Sequence, residues 1–125
     1  MALAQNKPNI LRVLMLGFSP VVREGLRAIL SKDEGIEVVE SYSKRVDALT
    51  SIRDSLDRES PVNVVLTESR NSELDGVQTT RQIKDEFPDI AVLVLTENPN
   101  NSYVIDAIHA GAGGYIFFGN ACFSA

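Results

Sequence analysis

The sequence predicts an α/β domain with a parallel sheet and helices on both of its faces. Five short apolar runs alternate with four stretches of helical period, the pattern of consecutive β-α-β units with right-handed crossovers. The third and fourth runs, Asn63-Val-Val-Leu-Thr67 and Ala91-Val-Leu-Val-Leu95, are apolar at consecutive positions, as strands covered on both sides must be. Three of the four helical stretches start or stop on a residue suited to a helix end.

Leu11-Arg-Val-Leu-Met-Leu16 reads as the first strand. Ser19-Pro20 then opens a helix, with Ser at the N-cap and Pro at the first helical position, where its missing N–H costs nothing. Val22, Leu26, Ile29 and Leu30 fall at i, i+4, i+7 and i+8 and form its expected core stripe. Residues 36–40 make a second strand. A more polar helix over about residues 43–58 places Val46, Leu49, Ile52 and Leu56 on one side.

After the third strand, Asp75-Gly-Val-Gln78 resembles a capping box, with Asp at the N-cap and Gln at the third helical position. It opens a helix to about Phe87, which Pro88 ends. Past the fourth strand, residues 98–101 carry turn chemistry. A helix over about residues 101–110 turns Val104, Ala107 and Ile108 inward and stops at Gly111, the residue type common just past helix ends. Gly114-Tyr-Ile-Phe117 is a fifth strand, with Phe117 facing the core.

The bulk properties bound the function. A chain of 125 residues with 44% apolar residues suits one globular domain. A net charge of −5 opposes the phosphate backbone and no dense Lys/Arg tract reverses it locally, so no direct nucleic-acid contact is expected of these residues. No apolar run approaches the roughly 20 residues that span a bilayer, and residues 1–9 lack the apolar core of a signal peptide. Cys122 is the lone cysteine and reads as a free thiol, so no internal disulfide points to secretion and the expectation is cytoplasmic.

The domain organisation reads as a flexible tail over 1–9, a folded domain over 10–118 and a C-terminal tail over 119–125. The last stretch, seven residues, is too short for a stable fifth helix with its own stripe. That helix is expected to be missing or truncated. Either another protomer shares the sheet face it would cover, or the sequence was cut before it.

The chain resembles a response-regulator receiver domain, specifically that of the NarL/FixJ (LuxR-type) regulators. The matching segments include Leu11-Arg-Val-Leu14, Pro20-Val-Val-Arg-Glu-Gly-Leu-Arg-Ala-Ile-Leu30, Gly35-Ile-Glu-Val-Val39 and Asn63-Val-Val-Leu66. They continue with Leu74-Asp-Gly76, Pro88-Asp-Ile-Ala-Val-Leu-Val-Leu-Thr96 and Ala110-Gly-Ala-Gly-Gly-Tyr115, in the family's order and spacing. The resemblance implies a flavodoxin-like (CheY-like) doubly wound parallel five-stranded sheet of order 2-1-3-4-5, with its site at the carboxyl ends of the strands. It also implies a place in a two-component phosphorelay controlling transcription.

In such receivers an acidic pair after the first strand and an Asp ending the third hold Mg²⁺, and that Asp attacks the phosphoryl phosphorus. A Lys after the fifth strand and a Thr or Ser after the fourth contact the transferred group. Carried over position by position, the acidic pair falls on Gly17 and Phe18, the nucleophile on Glu68 and the Lys on Phe118. Thr96 keeps the hydroxyl position and Tyr115 the aromatic switch position.

Glu68 alone is a poor ligand set for a cation that dehydrates reluctantly. Its side chain is one methylene longer than Asp, and a displacement of about 1 Å costs on the order of 100-fold in a positioned reaction. Metal, nucleophile and cation are all altered, so the expectation is a pseudo-receiver: not an enzyme, with no cofactor and no metal. Glu68 then has two readings, a standing phosphate mimic bonded to Thr96 or a solvated strand-end residue. Arg70 reads as a surface residue that could supply a cation only if its loop folds back.

Phe18, Phe117 and Phe118 suggest an apolar plug where the ionic site would be, and Phe18 and Phe118, at loop positions, are candidates for partner contact. The family's usual contact surface falls from Ser102 to Phe118, where a protein partner or a second copy would dock. His109, the single histidine, sits where a helix C-terminus favours partial positive charge. Two other readings are a phosphorylatable receiver with non-standard acceptor chemistry and a small flavodoxin-like ligand-binding domain. The loop Leu16-Gly-Phe-Ser-Pro20 carries neither G-x-G-x-x-G nor a P-loop for the latter.

Overall fold

A computed structural model describes residues 10–69, 75–96 and 101–117. Strands and helices alternate as β1 (Leu11–Leu16), α1 (Pro20–Leu30), β2 (Ile36–Tyr42), α2 (Arg45–Ser55), β3 (Val64–Glu68), α3 (Gly76–Glu86), β4 (Ala91–Thr96), α4 (Asn101–His109) and β5 (Gly114–Phe117). The five strands form one sheet in the order β2-β1-β3-β4-β5, and every neighbouring pair is parallel. The expected fold is therefore the one observed. Residues 118 and 119–125, with Cys122, lie outside the described residues, as does Arg70.

The apolar strands β1, β3 and β4 are buried because helices cover both of their faces. On one face Leu14, Leu16, Val65 and Val92 pack with Ala48, Leu49 and Ile52 of α2 and Ile83 of α3. On the other, Val13, Met15, Val64, Leu66 and Leu95 pack beneath Val22, Leu26 and Leu30 of α1. A third cluster joins Val94 to Ala107 of α4, with Val77 and Tyr115 against it. The β1–β2 register slips between Val13 and Leu14, where Val38 is followed by Glu40 as the next partner. Val38 packs with the α1 face and Val39 with the α2 face, as successive strand residues do, and the bulge accompanies the return of Tyr42, three residues after Val39, to the α2 face.

Three helices are rotated from the expected stripes. In α1 the i, i+4 row Val22–Leu26–Leu30 lies on the sheet, and Ile29 is 64% exposed. Each i+4 step advances about 40° around a helix, so a contact that follows this row turns away from Ile29. In α2 the buried set is Ala48, Leu49, Ile52 and Ser55, while Val46 and Leu56 are exposed. Leu56 is already the C-cap residue. The Ser55 hydroxyl is satisfied inside, donating to the Ile52 carbonyl at 2.8 Å and accepting the Val62 N–H at 3.2 Å. In α4 Ala107 is buried and Ile108 is exposed, because the inward face runs through Tyr103 rather than Ile108.

The helix ends explain themselves. Asp75 caps α3, its Oδ1 accepting the Val77 and Gln78 N–H groups at 2.9 and 3.3 Å. Ser19 occupies the N-cap of α1 but makes no side-chain cap bond, so the cap there is backbone and proline. Past α4, Gly111 has φ +109°, and a Cβ there would meet Lys84 Cγ at 2.9 Å.

Candidate functional site

The carboxyl ends of the parallel strands gather the sequence-predicted residues. Gly17 follows β1 directly, and its N–H donates to the Tyr42 carbonyl at 2.8 Å. Its φ is +95°, a left-handed conformation that residues with a Cβ adopt at a cost. Phe18 is buried, 5% exposed, in the cluster between β1, β3 and α1. This corrects the expectation of a partner-facing Phe18: the ring fills the core because the Gly17 turn aims it inward beneath α1. Phe117 is half-buried on β5, and Phe118 lies outside the described residues.

Glu68 ends β3, half-buried, opposite Leu95 of β4 in the ladder, and Thr96 extends β4 by one buried residue. Just beyond β3, the Ser69 N–H donates to the Leu95 carbonyl at 3.0 Å. The first turn of α3 presses against this strand end. A Cβ on Gly76 would lie 2.7 Å from the Glu68 carbonyl oxygen and 2.9 Å from that of Ser69. Only glycine permits that approach.

Tyr115 of β5 half-buries its ring in the third cluster. Its neighbour there is Tyr103 of α4, edge-to-face, with centroids 6.3 Å apart and planes at 61°. Sequence reasoning missed Tyr103. Its hydroxyl donates to the Ser69 carbonyl, accepts the Gly76 N–H at 3.1 Å and stands 3.1 Å from Asp75 Oδ1. Burial pushes its pKa up to about 12, and the neighbouring Asp75 carboxylate adds to the shift. The signal was present: Tyr103 lies four residues before Ala107 and seven before Ala110, the true inward row of α4.

The receiver fold implies a Mg²⁺ ion at these strand ends, and the donor set tests that. A hard octahedral cation wants several oxygen ligands. Among the described residues at these strand ends, Gly17 has no side chain and Phe18 points into the core, which leaves Glu68 as the carboxylate. Among the described residues, no three His, Cys, Asp or Glu side chains are grouped to hold a metal. The described residues do not fit the ion.

Residues 13–117 match the response regulator receiver domain family. That span covers nearly all of the described fold. The chain belongs to this family. Among curated relatives it is 35% identical to the transcriptional regulatory protein YhcZ of Bacillus subtilis over 95 residues, 76% of this chain and 42% of that protein. Among solved structures it is similar to the signal receiver domain of a response regulator designated NarL from Mycobacterium tuberculosis, at 26% identity and TM-score 0.76, covering 88% of this chain and 85% of that one. It also superposes on RcsB, solved as two dimers bound to two parallel DNAs, at TM-score 0.79 and 21% identity, covering 93% of this chain and 56% of that one. The last likeness speaks for the fold. The chain spans about half the length of the curated relatives it matches. No helix among the described residues is long and apolar enough to cross a membrane.

Proposed function

We propose that this receiver domain works without an aspartyl phosphate, as a protein-interaction or dimerisation module in cytoplasmic transcription control. The observation that carries the reading is the turn after β1. Where the family's acidic pair would stand, this chain places a glycine at φ +95° and a phenylalanine built into the core. Glu68 at the nucleophile position and Phe118 at the lysine position point the same way. Position 68 offers a carboxylate with one methylene too many, and position 118 offers no cation to a transferring phosphoryl group.

The contact surface in this reading is the stretch from Ser102 to Phe118, and its occupant is a second copy of the chain. Support comes from Ile105 and Ile108, large apolar side chains exposed on α4, and from the dimers that the structurally similar RcsB forms. Thr96 and, within that stretch, Tyr115 persist as switch positions without a phosphate trigger. With its net charge of −5 the domain does not itself bind DNA in this account.

Sedimentation with and without acetyl phosphate and Mg²⁺ tests the proposal. The expected result is self-association that is identical in both conditions and weakened by Ile105→Lys with Ile108→Lys. Association that appears or strengthens only with the phosphoryl donor would overturn it.

A further inference from the structure

The Tyr103 hydroxyl joins three segments that lie apart in the sequence. It donates to the carbonyl of Ser69, the residue after Glu68, and it shares with that carbonyl the N–H of Gly76, which opens α3 and whose nitrogen lies 2.8 Å from the Ser69 oxygen and 3.1 Å from the hydroxyl. At 3.1 Å it also faces Asp75 Oδ1, the oxygen that caps α3. One O–H proton therefore serves two acceptors, a strand-end carbonyl and a helix-capping carboxylate. The ring meanwhile packs edge-to-face on Tyr115 of β5.

We infer that the Tyr103 hydroxyl is a latch that couples the seating of α4 to the junction between β3 and α3. Two observations make the coupling rigid. Gly76 is pressed against the Glu68 and Ser69 carbonyls too closely for any Cβ, so the start of α3 and the end of β3 move as one piece. Ala107, one turn beyond Tyr103 on the same face, is fully buried, so any shift of α4 must also unpack a residue that is close-packed in the core. A partner that shifts α4 must then either carry the end of β3 with it or break the hydroxyl's contacts. The inference does not rest on the loss of phosphorylation and holds for a receiver with or without it.

Amide hydrogen exchange on the folded domain tests the latch. Tyr103→Phe keeps the ring and removes the hydroxyl. The latch predicts that amides 77–78 and those of α4 then exchange faster together, by a similar factor of roughly fivefold, the usual worth of a hydrogen bond. Asp75→Ser keeps a capping hydroxyl but ends one bond short of Oδ1, and by reciprocity it accelerates α4 amides as well. Amides of β1 stay unchanged in both variants. A rise confined to α4 or to the first turn of α3 in Tyr103→Phe, or α4 amides unaffected by Asp75→Ser, would overturn the inference.

Discussion

Gly17 holds φ at +95° immediately after β1, so an acidic residue at this position would carry a backbone cost as well as a side chain. Gly17→Asp is expected to lower stability in urea by about 1–2 kcal/mol, the cost of a left-handed conformation for a residue with a Cβ. An acid placed there therefore strains the turn before it supplies a ligand. Phe18, being buried, is expected to cost about 3–5 kcal/mol on replacement by Ala, which the same titration measures. Tyr103 gives a pH signature. Its hydroxyl keeps its proton up to about 12 in the fold, against an ordinary 10.0. The folded chain thus binds more protons than the unfolded one in that window, and stability falls as pH rises through it. The contribution is complete below pH 10 and gone above the folded value. Denaturation of Tyr103→Phe beside the parent chain is expected to show a shallower decline between those limits.

The elements were legible in the sequence and their rotations were not. Strand runs such as Ala91-Val-Leu-Val-Leu95 announce themselves because both faces are covered, so every position is apolar. Asp75 and Gly111 mark helix ends through local backbone chemistry, which neighbouring residues suffice to show. Which arc of an amphipathic helix touches the sheet is set by tertiary packing. The sequence offered Ile29, Val46 and Ile108 as core, and all three face solvent. This sets a contrast inside α1. Leu26→Ala is expected to destabilise measurably, short of the 2–5 kcal/mol of a fully buried leucine because Leu26 is only half-buried. Ile29→Ser should stay within about 0.5 kcal/mol. Arg53 of α2 grips both carboxylate oxygens of Glu86 of α3, and this hydrogen bond holds the Glu86 carboxyl below its ordinary range. Both groups are exposed, so the pair fixes geometry more than it stabilises.

At the scale of the molecule, the doubly wound sheet brings Gly17, Glu68, Thr96 and Tyr115 to its carboxyl edge, where a receiver would do its chemistry. The fold and the placement of those positions were legible because resemblance runs through the strands and helix starts. The inward turn of Phe18 and the Tyr103 contacts were not, since both depend on which way a loop or helix is rotated in three dimensions. Among the described residues that edge holds a carboxylate at position 68, a buried hydroxyl at 96 and a tyrosine pair tying α4 and β5 to the end of β3. On the proposed reading this edge accepts no phosphoryl group, and intact mass after incubation with acetyl phosphate and Mg²⁺ tests that most directly. The account predicts an unchanged mass; a gain of one phosphoryl group on the folded domain would contradict it.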